Sequence, residues 1–445
     1  MKKLVITLCL CLCVFVAAEA QQKLELTLNK ALDIALSDNP TITVANLEVE
    51  RYDYVRKQAL SSLYPQIDAS AQYALALRRQ EMAQGLSFGG KNTFNVAGNV
   101  SLPLFVPSVY RQLKMTRTQM EMAVESARST RIDLIAAVSA SYYGILLAEQ
   151  SLAVLEEAAV TTDRVVKNTE DMYKNGLAAE YDYITARVQR SNLDPQILQL
   201  KNSVEIAKLQ LKMYLSIPES VDIEVVGSLD DFKNMAMLGA DYEINLENNS
   251  TIKNLDLQLE LLDHQEKMIQ TTRMPTLAAF GQISLIGQER SDLGGLLGGM
   301  GGATTEEQSK FWWQYPISVG AQLNIPIFAG LKKTNQLREV RNQREQLRLQ
   351  RDYAEEGVRL QVQQSINTLL TARSMMLANA ETVLQAEKAY NISVTRYDAG
   401  AGTILEVNSA QLSLTQAQLS YSQSIYDYLA AYTEYEKALG KDTIE

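Results

Sequence analysis

The chain has 445 residues, with 42 Lys and Arg against 52 Asp and Glu for a net charge of −10, one His and three Cys. That acidic balance excludes a nucleic-acid binder, which needs a basic footprint. A single histidine, His264, leaves no material for histidine-clustered metal sites or Ser-His-Asp chemistry, and it reads as a polar face residue. The Asp and Glu side chains read as solvated helix faces rather than acid–base pairs, so the inventory argues against an enzyme and implies no cofactor.

Residues 1–20 read as an export signal: Lys2 and Lys3 open it, and Leu4 to Val16 is too short for an ordinary membrane span. Ala18-Glu19-Ala20 then offers a small-x-small cleavage site. Cys9, Cys11 and Cys13 all lie in this segment, so the mature chain has no thiol for disulfides, metal ligation or nucleophilic attack. None of the three follows a small residue, which argues against a lipid anchor. No later segment shows the unbroken apolar run of a membrane helix, so any membrane crossing must be made by strands.

Alternation from Leu24 gives way to a short helix with Asn29 as its expected N-cap, ended by Pro40. A helix from about 41 to 63 stops at Tyr64-Pro65. The period then changes to two: Ile67, Ala69, Ala71, Tyr73 and Leu75 alternate with polar residues, and after a Gly-rich loop Phe94, Val96, Gly98, Val100 and Leu102 do the same. These strands form a hairpin, about 66–104, with one apolar face. A helical hairpin follows over about 110–216. Its first limb carries Val138, Ile145, Leu152, Ala159, Val166 and Tyr173 at intervals of seven and ends at Asn175-Gly176. Pro195 should kink the second limb. Residues 217–247 are a mixed linker with a possible strand at Val221–Val226.

The second half, 248–445, replays the first repeat, 21–216. Asn249 and Met274-Pro275 answer Asn39 and Tyr64-Pro65 at an offset of 210. A second strand hairpin occupies about 276–327, with a long loop at 288–313, and a second helical hairpin about 331–439. Val362, Leu369, Met376, Val383, Tyr390 and Tyr397 repeat the heptad stripe at an offset of 224 and run into a turn at Gly400. Seven-residue spacing keeps one seam facing a partner only in a left-handed supercoil. The last helix, about 403–439, carries two stripes: Leu405, Leu412, Leu419 and Tyr426, and Leu414, Tyr421, Tyr428 and Tyr435. They lie roughly 200° apart around the helix. A helix apolar on two opposite sides belongs in a closed wall, which points to a cylinder of helices.

Four amphipathic strands cannot close a barrel, and single-chain barrels start at about eight. A trimer would supply twelve. Trp312, Trp313 and Tyr315 suit an interfacial aromatic belt. Alternation alone is equally compatible with a soluble sheet having one apolar face. A periplasmic or surface coiled-coil scaffold or adhesin therefore remains the alternative.

The motifs carry a resemblance across essentially the whole mature chain. The run from Leu26 to Pro40, Tyr64-Pro65-Gln66-Ile67, the run from Ile325 to Gly330, and the run from Tyr397 to Glu406 resemble the TolC family of trimeric outer-membrane efflux channels. The resemblance implies a mixed α/β membrane protein: a twelve-stranded trimeric β-barrel continued by a twelve-helix periplasmic tube. It implies no enzymatic activity, and a periplasmic adaptor and inner-membrane pump as partners. It places the gate at the helix tips, with Tyr397 hydrogen-bonded to Asp182. An arginine of the family's lock maps to Gly402, so that part is missing. One acidic aperture ring maps to Glu406 and a second to Ser409, which carries no charge. The residues by themselves read Glu406 as a solvated first-turn glutamate, where the helix dipole favours acids.

One lead fails on its own terms. Gly85 to Asn92 nearly spells a phosphate-binding loop, but Asn92 stands where Ser or Thr is required and a strand pattern follows where a helix should.

Overall fold

The computed structural model describes residues 23–78, 80–81, 87–88, 90–232, 244–289 and 311–442. The expected export signal and most of the loop 288–313 lie outside the described residues, as do Gly85, Leu86 and Gly89 of the phosphate-loop look-alike. The latter's last residue, Asn92, begins a strand.

Strand β1, Leu24–Leu26, leads into helix α1, Leu28–Asp38. Its N-cap is Thr27, whose hydroxyl accepts from Lys30 N at 3.4 Å; the expected Asn29 instead sits inside the first turn. The cap belongs to the residue with extended backbone, and that is Thr27. Helix α2, Pro40–Ser61, opens on a proline, whose missing N–H costs nothing at the first helical position. Strand β2, Gln66–Leu75, is followed by a two-residue pair, β3 (Gln80–Glu81) and β4 (Ser87–Phe88), and by β5, Asn92–Phe105. Helix α3 runs from Pro107 to Lys174 over 68 residues. The return limb is split into α4, Glu180–Ser191, and α5, Leu193–Leu215. The break falls at Asn192, where the ring of Pro195 would meet the carbonyl of Ser191. Strand β6, Ile223–Val225, pairs in parallel with β1. The second repeat supplies α6 (Ser250–Thr271), β7 (Thr276–Glu289), β8 (Phe311–Gln314), β9 (Ile317–Asn324), α7 (Lys332–Asp398) and α8 (Ile404–Leu439). The final strand is thus interrupted at Tyr315-Pro316, since proline has no N–H to give a ladder.

The chain folds as two units that do not follow the repeats: 1–48, 124–254 and 351–445 form one, 49–123 and 255–350 the other. Each repeat contributes to both.

In the first unit the heptad stripes meet. Val138 and Ile145 of α3 join Val362, Leu369 and Met376 of α7 in one buried cluster with Leu211 of α5 and Leu429 of α8. The base of each hairpin is tied by a buried asparagine. Asn39 Nδ2 donates to Tyr214 O at 2.6 Å while its Oδ1 accepts from Thr41 N at 2.8 Å. Asn249 repeats this with Ala438 O at 2.9 Å and Thr251 N at 3.0 Å. Arg128 reaches Glu125, Asp442, Ser250 Oγ and the carbonyls of Asn248 and Gly440. These contacts hold its guanidinium above its usual pKa, the hydrogen bond to Glu125 contributing most.

One 18-residue stretch of α3 reaches a mean hydropathy of 1.4, enough by length and composition to cross a membrane, although its apolar run is broken by polar residues. More than half of it is buried inside the chain, because it carries the packed stripe.

In the second unit the strands run in the order β2-β5-β7-β9, all antiparallel, with β8 and β9 end to end along β7. The register places Ile67 opposite Val100, Val96 opposite Leu285 and Ile283 opposite Ile317. Side chains alternate between faces with period two, so every apolar alternate of the four strands falls on one face. The other face carries Asp68, Asn99, Gln282 and Ser318. The helices of this unit are joined by Glu266, a nearly buried carboxylate that accepts from Arg341 Nε at 2.7 Å and Arg344 Nη1 at 2.9 Å.

Candidate functional site

Both helical hairpins turn by one device. At the end of α3, Gly176 adopts φ +71°, its N–H bonds Tyr173 O at 2.9 Å and the Leu177 N–H bonds Met172 O at 2.8 Å. At the end of α7, Gly400 adopts φ +70° with Gly400 N–Tyr397 O at 2.9 Å and Ala401 N–Arg396 O at 2.8 Å. This is the Schellman arrangement, and a left-handed residue in it needs glycine. Gly176 and Gly400 therefore sit where the repeat placed them.

The side chains around the second turn form a cluster. Thr403 caps α8, its hydroxyl accepting from Glu406 N at 3.3 Å. Arg396, in the last turn of α7, lies 3.5 Å from the Glu406 carboxylate and donates to Ala401 O at 3.1 Å. A cation at a helix C-terminus and an acid at the next N-terminus each suit the local dipole, so the pair closes the turn from both ends. Ser409 is exposed. Gly402 has its own reason to be glycine: a Cβ there would stand 3.1 Å from Tyr397 N and 3.2 Å from Arg396 Cβ.

These observations add one contact to the expected set and depart from one expectation. The cation at this tip is Arg396, and a side chain at Gly402 would press on the backbone that carries it. The Tyr397–Asp182 hydrogen bond is not made within this chain: Tyr397 Oη is buried without a partner among the described residues. The link between hairpins passes instead through the neighbouring residue, Asn168 Nδ2 donating to Asp398 Oδ1 at 3.4 Å. Asp182 sits in the first turn of α4, the counterpart of Glu406 at an offset of 224.

The first tip is aromatic. Tyr173 and Tyr183 stack with centroids 6.1 Å apart and planes within 7°, and Arg187 lies over the Tyr183 ring at 5.6 Å. Leu177 and Tyr181 are largely exposed. Lys174 and Glu170 pair at 2.8 Å, and that hydrogen bond holds the Glu170 carboxyl below its usual range.

On the sheet the expected aromatic belt divides. Trp312 and Trp313 are consecutive in β8 and point to opposite faces. Trp313 packs over Gly287 on the apolar face, where a Cβ on Gly287 would stand 2.7 Å from the ring. It continues a row of rings missed in the sequence: Tyr73–Phe94 at 4.8 Å, Phe94–Phe311 at 5.7 Å and Phe311–Trp313 at 6.3 Å. Trp312 belongs to the polar face, and Tyr315 lies past the strand end, largely exposed. Parity along the strand and a glycine opposite were the signals that could have sorted them.

Three comparisons bear on what this arrangement belongs to. The family described as outer membrane efflux protein matches residues 31–216 and 242–441. The chain is similar to outer membrane protein TolC of Escherichia coli, 22% identical over 387 residues, covering 86% of this chain and 76% of that protein. It is also similar to the solvent efflux pump outer membrane protein SrpC of Pseudomonas putida, 24% identical over 430 residues, 93% of this chain and 85% of that one. A match to the efflux protein BepC of Brucella suis is local: 28% identical over 128 residues, with 29% of this chain and 28% of that protein covered. Among solved structures the fold is shared with CusC, with a TM-score of 0.73 at 17% identity covering 93% of this chain and 91% of that chain. It is shared likewise with VceC of Vibrio cholerae, TM-score 0.72 at 16% identity covering 93% and 96%. The chain belongs to the outer membrane efflux protein family, the outer-membrane exit channels of efflux and secretion systems.

Proposed function

We propose that three copies of this chain join their four-stranded sheets into a twelve-stranded outer-membrane barrel, continued by twelve helices as a periplasmic tube. One observation carries the reading: the sheet has an unbroken apolar face and a free edge on both sides. Ile67 of β2 is 78% exposed and Val319 of β9 is 83% exposed, and neither strand has a second neighbour among the described residues. In a bilayer an open edge leaves N–H and C=O groups unpaired, and closure through further copies removes both edges. On β7 the apolar alternates run from Leu277 to Leu285 and end at Gly287, under Trp313. At about 3.3 Å per residue and a tilt near 45° that spans roughly 23 Å, close to the apolar band of such barrels. A soluble sheet would need a cover for this face.

The last helix supports the tube. Leu414, Tyr428 and Tyr435 are buried within the chain, while Leu405 and Leu412 of the other stripe are 67% and 59% exposed, ready for a neighbouring copy. Three Glu406 carboxylates around one axis would attract cations and repel anions, and Arg396 beside each tempers that charge. In this reading the mouth is a conduit with no chemistry of its own, and docking of an adaptor and inner-membrane pump at the tips opens it.

The test is conductance in planar bilayers of the purified, heat-resistant trimer. Glu406→Ala should lower cation selectivity and Arg396→Ala should raise it. Selectivity shifts of the same sign would remove the gate assignment. A detergent-independent monomer in solution would remove the channel.

A further inference from the structure

The two junctions between sheet and long helix differ. In the first repeat β5 runs to Phe105 and α3 begins at Pro107, with no residue in the left-handed region. In the second, β9 stops at Asn324 and α7 starts only at Lys332. The intervening loop ends on two left-handed residues, Gly330 at φ +57° and Leu331 at φ +62°. A branched side chain at positive φ is strained, and it survives only where the surroundings hold it. The loop holds its apolar side chains away from the protein: Ile327 is 93% exposed and Phe328 is 81% exposed. Ile327 follows Leu323 and Ile325 at the two-residue spacing of the sheet's apolar face, beyond the last paired residue, and Phe328 stands exposed beside it.

Against them lie cations. A pocket of about 230 Å³ is lined by Arg273, Lys333 and Thr334 together with Ile327, Phe328 and Leu331. Arg273 donates to Thr334 Oγ1 at 3.3 Å, and Lys333 donates to the carbonyl of Thr272. Neither is paired with a carboxylate among the described residues, so both keep charge to offer. The first repeat has Leu63 and Val109 at the corresponding positions, so this pair of cations is not repeated there.

We propose that the 325–334 junction is a binding site for an anionic phospholipid of the outer membrane's periplasmic leaflet. The headgroup phosphate sits between Arg273 and Lys333, and the acyl chains lie along Ile327, Phe328 and the sheet face. The inference rests on the barrel reading, and it adds a preference that an apolar belt by itself would not have. A lipid surface is the occupant because the exposed apolar side chains continue the face that meets lipid, and the pocket has room for a phosphate group rather than a whole ligand. Guanidinium and ammonium groups together suit a phosphodiester, the first by a planar fork and the second as a point charge.

The full-length trimer, extracted from outer membranes, is exchanged into nanodiscs of phosphatidylethanolamine containing phosphatidylglycerol, and retained lipid is read by native mass spectrometry. Phosphatidylglycerol should be enriched over its bulk fraction. The double variant Arg273→Ala, Lys333→Ala should weaken that binding by about thirtyfold and weaken phosphatidylethanolamine, whose own ammonium offsets its phosphate, much less, so that the enrichment disappears. The charge-keeping variant Arg273→Lys should retain most of the enrichment, and Ile327→Ser with Phe328→Ser should lose both lipids. A conducting native trimer that retains phosphatidylglycerol no better than the Arg273/Lys333 variant overturns the site and leaves the channel standing. A chain that enters no bilayer overturns the channel, and the site with it.

Discussion

At residues 172–183 an uncapped Ala179 starts the return helix, and a stacked Tyr173–Tyr183 pair flanks the turn. At residues 396–407 the cap is Thr403 and the flanking pair is Arg396 with Glu406. The backbone hydrogen bonds of the two turns agree to within 0.1 Å or better, at 2.9 and 2.8 Å in each. Turn geometry is therefore owned by Gly176 and Gly400, and chemistry by the residues one turn to either side. Repetition conserved the hinge and released the side chains: Met172 became the counterpart of Arg396, Asp182 of Glu406, Ala178 of Gly402. In the proposed channel the aromatic tip offers exposed Leu177 and Tyr181 to a docking partner while the charged tip lines the mouth.

The comparison can be broken first at its shared part. Gly176→Val and Gly400→Val should each cost about 1–2 kcal/mol, because a branched residue resists the left-handed region. Equal losses in thermal unfolding followed by far-UV circular dichroism would confirm that the turns are equivalent; a loss at one tip only would end the equivalence. The caps should then respond in opposite directions. Thr403→Ala should lose about 1 kcal/mol and Ala179→Asp should gain a similar amount, read in the same assay. Smaller again is the coupling of Arg396 to Glu406, both well exposed. A double-mutant cycle should give about 0.2–1 kcal/mol there and nothing for Met172 with Asp182.

The faintest difference is in pH. Glu170 keeps a depressed carboxyl beside Lys174, so its contribution is complete above the ordinary glutamate value of 4.5 and fades as pH falls through the lowered one. The second tip has Val394 at the corresponding position and no such pair. Amide protection near Asn175, taken relative to the intrinsic exchange rate at each pH, should fall on acidification before that near Ala399. The reverse order would show that the pair does not hold the first tip.

Patterns with a fixed period were readable from the residues, and contacts across a turn were not. Ile67 to Leu75 and Phe94 to Leu102 announced both strands and their common apolar face, because alternation determines which side a residue takes. Val138 and Val362 announced the buried seam in the same way. Arg396 and Glu406 stand ten residues apart with a turn between them, so no helical spacing links them. Thr27 and Asn29 can both cap a helix, and the choice is made by where β1 stops pairing with β6, a contact some 200 residues away in sequence. Tyr397 was read by its counterpart in relatives, and within the chain the inter-hairpin contact falls to the next residue, Asp398. Trp312 and Trp313 could have been separated by parity alone.

Asn39 and Asn249 have a consequence for how such molecules diverge. Each fastens a carbonyl in the last turn of a return helix to the start of its own repeat, while a glycine fixes the far end, so a hairpin behaves as a ruler with both ends nailed down. A deletion in one limb alone would slip every seam residue out of place. Length can change only by removing whole heptads from both limbs, in increments of about 10.5 Å. Channels built on this plan should therefore come in discrete sizes rather than a continuum.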